Sequence, residues 1–191
     1  HTILRFIGEQ ALPAYTVISY VNTLVLMTMT GAAQGMQPLV SYALGAGRQE
    51  ECRRLLKYGV AAAALFAALS FALGELGAPL IVGVFLDRGS AIFDYSVSAL
   101  RMYAWSFLAV GFNVIFAAFL TAVERPAPAL AISLSRSLVL LSASLLTLPV
   151  LFGDRGIWFS TLASELGCLV ITAACAAAYF REGREDAGPL S

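Results

Sequence analysis

Charge is scarce in this chain. Of 191 residues only 13% are Asp, Glu, Lys or Arg, against about a quarter in soluble domains, while 59% are hydrophobic and the mean hydropathy is strongly positive. That balance excludes an ordinary soluble domain and marks a membrane protein. Histidine occurs once, as His1, and neither a GxSxG nor an HExxH pattern is present. The carboxylates within apolar runs stand singly. An intramembrane enzyme would need a nucleophile with a base, or clustered metal ligands, so no enzymatic activity, cofactor or metal site is expected. The three cysteines add little: Cys52 lies in a basic loop, and Cys168 and Cys175 share one helical face as small packing residues. Net charge is zero and no basic patch is interleaved with aromatics, which excludes nucleic acid as a partner. No basic start with a small-residue cleavage site opens the chain, which begins at His1 within an already hydrophobic run. The expectation is a fragment lacking its natural N-terminus and poorly stable alone.

What is present is long apolar runs separated by charges. A span needs about 20 apolar residues. The pattern predicts an all-α polytopic bundle with spans at 13–44, 58–86, 95–123, 127–152 and 157–180, and residues 1–7 as the end of a sixth helix. A polar tail, 181–191, follows. Arg48, Arg53, Arg54, Lys57, Arg125, Arg181 and Arg184 fall in alternate loops, whereas the other loops hold only Arg5, Arg88 and Arg155. The positive-inside bias therefore predicts a cytoplasmic C-terminus.

The first span contains "GAAQGMQPLVSYALGAGR", from Gly31 to Arg48. A plain anchor would be weakened by its glycines and proline. Gly31 and Gly35, four apart, offer a strip for a closely packed helix. Pro38 requires compensation from neighbours in a lipid environment. Gln34 and Gln37 stand beside the strip and could face a cavity, and Gly45, Gly47 and Arg48 suit a helix end.

Ionisable groups at membrane depth cost at least about 2.5 to 3.5 kcal/mol each near a helix centre and are functional candidates by default. Glu165, a third of the way into the last span, is a candidate for binding a coupling ion or a cationic substrate, or else the structural partner of an arginine. Arg136, about ten residues into the fourth span, is expected to pair with a carboxylate or cap carbonyls, with substrate contact the alternative. Arg101 is expected to snorkel outward towards Asp94 or Asp87, in a structural role, and Glu75 to reach the outer surface.

The order and spacing of several segments closely resemble the C-terminal half of multidrug and toxic compound extrusion (MATE) transporters. They are "GAAQGMQPLVSYALGAGR" with "RRLLKYG", "VFLDRG", "ALRMYAWSFLAVGFNVIFAAFLTAVER", "ISLSRSLVLL" and "GIWFSTLASELG". The resemblance covers nearly the whole chain. It implies one lobe of a two-lobe, twelve-helix transporter, with the N-terminal lobe of the same chain as the missing partner. It further implies a multi-pass protein of the plasma (inner) membrane, surrounded by lipid, that exports small organic cations by antiport with protons or sodium. Asn113 stands where some branches of the family carry an acid that helps form a cation site. An amide can still coordinate sodium weakly or bond a substrate, but the lost charge counts against a sodium site of that type. Tyr15, Tyr20, Tyr42, Phe112, Phe116 and Trp158 are candidates to line a cavity for flat cations. The alternatives are a flippase for lipid-linked saccharides or precursors, which would favour several arginines facing phosphates, and a purely structural membrane subunit.

Overall fold

The computed structural model describes residues 12–185, and over them the chain is helical from end to end. Eight α-helices and one π-helical stretch follow in order: α1 (Leu12–Gly45), α2 (Gln49–Leu76), α3 (Ala78–Phe85), α4 (Ala91–Ala104), α5 (Phe107–Ala122), α6 (Pro126–Leu134), the π segment (Ser135–Leu140), α7 (Leu141–Phe152) and α8 (Asp154–Glu185). By length and composition these elements make up to five membrane spans, counting the bent pair α4–α5 as one. Residues 1–7, expected to end a preceding helix, lie outside the described residues.

Three spans depart from the continuous helices that hydropathy suggests. The second begins at Gln49 rather than at residue 58 and breaks at Gly77, where α3 starts in a new direction. Pro79 is the cause: it has no N–H to give the carbonyl of Glu75 four residues earlier. Arg101 supplies the missing donor, its Nε lying 3.0 Å from that carbonyl oxygen. Arg101 therefore does not turn towards Asp94 or Asp87; it caps the broken helix from across the bundle. Nor is Glu75 free at the surface, since its Oε2 is buried without a hydrogen-bond partner among the described residues. The third span bends by 42° between α4 and α5. There Ser106 turns both its N–H and its hydroxyl onto the carbonyl of Tyr103, at 2.9 and 2.7 Å. The fourth span carries the π segment in its middle. The last helix runs past Phe180 to Glu185, and Glu182 there forms a salt bridge with Arg125, whose guanidinium also lies over the Tyr179 ring.

At the centre is α5, in contact with α1, α2, α6 and α8. One core cluster joins Met36 and Val40 of α1, Leu56 of α2, Ile115 and Phe119 of α5, and Cys168 of α8; a second joins Val17, Val82, Leu100 and Trp158 at the other end. Hydroxyls along the spans fold back on carbonyls one turn earlier, as Thr16, Thr23, Thr28 and Thr147 do, so they need no water.

Among the described residues no helix covers the strip of Gly31 and Gly35, as expected of a face left for a part of the protein outside this chain. A Cβ built on Gly31 or Gly35 finds nothing within 4 Å, and both positions are exposed. Close approach occurs instead at Gly74, where a Cβ would sit 2.6 Å from that of Ala104, and at Gly111, 3.0 Å from the Met29 sulfur. Spacing alone could not choose between these glycines, because a glycine reads as a contact only when a neighbour arrives. Gly74→Val is expected to lower stability by about 1 to 3 kcal/mol through overpacking, whereas Gly89→Ala, in an exposed loop with nothing within 4 Å of an added Cβ, leaves it unchanged. Thermal unfolding of the detergent-purified full-length protein measures both, and equal melting temperatures for the two variants would refute the assignment.

Candidate functional site

Three spans bring polar side chains together in the interior. Glu165 on α8 is 7% exposed, and both carboxylate oxygens are matched from outside its own helix. Asn113 of α5 donates through Nδ2 to Oε2 at 2.9 Å and to the Glu165 backbone carbonyl at 3.1 Å. Arg136, in the π segment, places Nη1 3.3 Å from Oε1. The amide orientation of Asn113 is set in turn by Thr172, whose hydroxyl donates to Oδ1 at 2.9 Å. Ser164 donates to the Arg136 carbonyl at 3.1 Å, tying the π segment to α8.

The local sequence explains the arrangement. Glu165, Cys168 and Thr172 fall at i, i+3 and i+7 and so share one face of α8. That face meets α5 at Asn113 and α6 at Ile132, whose carbonyl accepts from Cys168 Sγ at 3.5 Å. A π-helical turn inserts a residue into the helical ladder and re-aims the side chains around it. Arg136 stands in this turn, half-buried, and meets Glu165 from it.

Beside the cluster lies a cavity of about 300 Å³, lined among others by Thr30, Gln34, Gln37, Asn113, Ser133 and Arg136. Gln37 also reaches the Ala118 carbonyl at 3.5 Å, the limit of a hydrogen bond. Thus Gln34, Gln37, Asn113 and Arg136 share one wall. Glu165 is not on that wall; it stands behind Asn113 and Arg136. Pro38 is exposed on α1, one turn beyond Gln34. Thr172, Ser164 and Thr30 were not singled out from the sequence. The spacing of seven from Glu165 could have found Thr172, but nothing distinguished it from the other hydroxyls in apolar runs.

The aromatic candidates separate. Tyr15 and Trp158 line a second cavity of about 570 Å³ with Tyr103, Asn22 and Thr161. Phe116 is core, Tyr20 stacks on Phe85 with centroids 5.9 Å apart, and Tyr42 lies under Arg48. Cys52, Cys168 and Cys175 are all free thiols. No group of three or more His, Cys, Asp or Glu side chains is placed to hold a metal ion among the described residues.

The profile of the MatE family matches residues 2–145, three quarters of the chain. The chain belongs to the MatE family. Among solved structures, this MatE chain is similar to a multidrug resistance MATE family transporter of the MOP superfamily in an outward-facing conformation. The TM-score is 0.87 at 18% identity, over 96% of this chain and 42% of that one. A MATE protein in complex with MaL6 gives 0.86 at 17%, with the same coverage. A MOP superfamily transporter from Pyrococcus furiosus, described as having a binding pocket of reverse polarity, gives 0.80 at 19%, over 90% of this chain and 39% of that one. At these identities the likeness establishes the fold: an all-helical membrane lobe of the MATE type, spanning about two fifths of those proteins' length. No curated protein matches the chain.

The Arg136–Glu165 pair generates a test. Arg136→Met leaves a buried carboxylate without its counter-ion and is expected to cost about 2 to 3 kcal/mol, less than for a fully buried pair because Arg136 keeps partial access to the cavity. Adding Glu165→Leu should recover much of that loss, as a double-mutant cycle on thermal unfolding would register. A double variant no more stable than Arg136→Met alone counts against a coupled pair.

Proposed function

We propose that the complete protein is a secondary active exporter of small organic compounds, cations among them, driven by inward flow of protons or sodium. The single observation behind this reading is the convergence of Glu165, Asn113, Arg136 and Thr172 from three spans beside a polar cavity. In a membrane interior, polar groups of this cost mark ion and substrate pathways. Transporters built from repeats hold substrate near the midplane and alternate access by rocking their halves.

The chemistry follows from the pairing. When ionised, Glu165 is met by Arg136 on one side and by the Asn113 amide on the other. A proton or sodium ion arriving at this carboxylate competes directly with the guanidinium, whose contact at 3.3 Å is the longer of the two. Release of Arg136 towards the cavity changes the charge lining the wall on which Gln34 and Gln37 stand. Ion entry and substrate exit are thereby linked through one side chain. In this reading the basic loops and the C-terminus lie on the cytoplasmic side of the inner membrane.

The same superfamily architecture suits a flippase for lipid-linked saccharides. That cargo calls for several cations facing phosphates, and among the described residues Arg136 is the only charged side chain on the cavity wall.

Efflux of a fluorescent organic cation by the full-length protein in proteoliposomes tests the proposal, with a pH gradient and a sodium gradient imposed separately. Glu165→Gln is expected to reduce gradient-driven efflux at least tenfold with normal protein yield. Unchanged transport in that variant would remove Glu165 from the mechanism, and efflux under neither gradient would remove the antiport reading.

A further inference from the structure

The segment 48–57 at the start of α2 carries four cations against two acids. Arg48 precedes the helix, and Glu50, Glu51, Arg53, Arg54 and Lys57 follow within ten residues. Both acids are engaged: Glu51 lies 2.7 Å from Arg48 and Glu50 lies 3.4 Å from Arg53. Among the described residues no carboxylate pairs with Arg54 or Lys57, and both side chains are exposed. Arg54 borders an open groove of about 770 Å³ with Leu55 and Tyr58, a residue 70% exposed; Arg48 and the two acids paired above, Glu50 and Glu51, line its other side. Arg54, Lys57 and Tyr58 stand at i, i+3 and i+4, so two cations and a phenol occupy one patch of helix surface.

What lies beyond that patch decides its environment. From Ala61 to Leu76 every exposed position of α2 is apolar, Leu65, Phe66, Leu69, Leu73 and Leu76 being the large ones. The exposed positions of α1 are mixed, with Thr16, Thr23, Thr28, Thr30 and Gln34 among Tyr20, Leu24, Met27 and Leu39. A mixed surface suits cavities and a neighbouring lobe, whereas the uniformly apolar strip of α2 suits hydrocarbon. Leu65 follows Arg54 by eleven residues, about 16 Å along a helix, close to the depth of one leaflet. The cations therefore sit at phosphate level above an acyl-length apolar strip, with Tyr58 at the boundary.

We propose that Arg54, Lys57 and Tyr58 form a binding site for an anionic phospholipid. The two cations take the headgroup phosphate, Tyr58 lies at the ester level, and the acyl chains run along Ala61, Leu65 and Leu69. A free phosphate would use the cations but not the strip, and continuity with the strip favours the lipid. The site stands apart from the Glu165 cluster and does not depend on the transport reading.

The test is native mass spectrometry of the full-length protein, released from micelles doped with equal amounts of phosphatidylglycerol and phosphatidylcholine. The wild type is expected to retain phosphatidylglycerol preferentially. Arg54→Gln and Lys57→Gln should each lower that retention about fivefold and together abolish the preference, while Lys57→Arg keeps it. Equal retention of the two lipids by the wild type, or undiminished preference in the double variant, overturns the site. Displacement of phosphatidylglycerol by millimolar inorganic phosphate overturns the lipid in favour of a phosphate site, and survival of the bound lipid in phosphate supports it.

Discussion

A carboxylate buried in an apolar bundle has to be matched by groups from outside its own helix, and much of the interior of this lobe is arranged around that requirement at Glu165. Its two oxygens face different elements, Oε2 towards Asn113 on α5 and Oε1 towards Arg136 in the π segment. Thr172 holds the Asn113 amide so that nitrogen rather than oxygen points at the acid. Removing any member leaves a buried polar atom unpaired, at a cost of about 1 to 3 kcal/mol, more for the charges. The cluster thus ties α5, the π segment and α8 to one another, with the guanidinium contact, at 3.3 Å, the longer of the two to the carboxylate.

The same rule governs the backbone. Where Pro79 withholds its N–H, Arg101 caps the Glu75 carbonyl from the neighbouring span. The break in the second span at Gly77 and the bend of the third at Trp105 lie side by side, because Gly74 lets Ala104 approach to near contact. Two weak points placed together can share one set of compensating bonds. An arginine that hydropathy reads as a shallow, snorkelling charge is in fact the donor that makes a broken helix tolerable.

How much of this was legible differs by residue. Glu165, Arg136 and Asn113 stand out because a charge or amide in an apolar run is costly anywhere in a membrane, so composition alone flags them. Gln34 and Gln37 are flagged for the same reason, and they do share a cavity wall with Asn113 and Arg136. Thr172 and Ser164 are not flagged, since most hydroxyls in these helices bond to their own backbone one turn earlier. Gly31 and Gly35 carry the stronger motif, yet Gly74 and Gly111 make the contacts, because small residues permit close packing without choosing the partner.

By itself the sequence determined the class of the molecule: an all-helical membrane chain, its spans limited by charges and its costly polar residues marked for use. Those are local properties, set by the transfer of each side chain and each peptide group between water and lipid. Only the tertiary structure decided which of the marked residues meet. Glu165 is separated from Asn113 by 52 residues and from Arg136 by 29. No periodicity along one helix records what faces it from another, and the π turn in which Arg136 stands leaves no trace in hydropathy. The pairing is a property of how the helices pack, and the site exists only there.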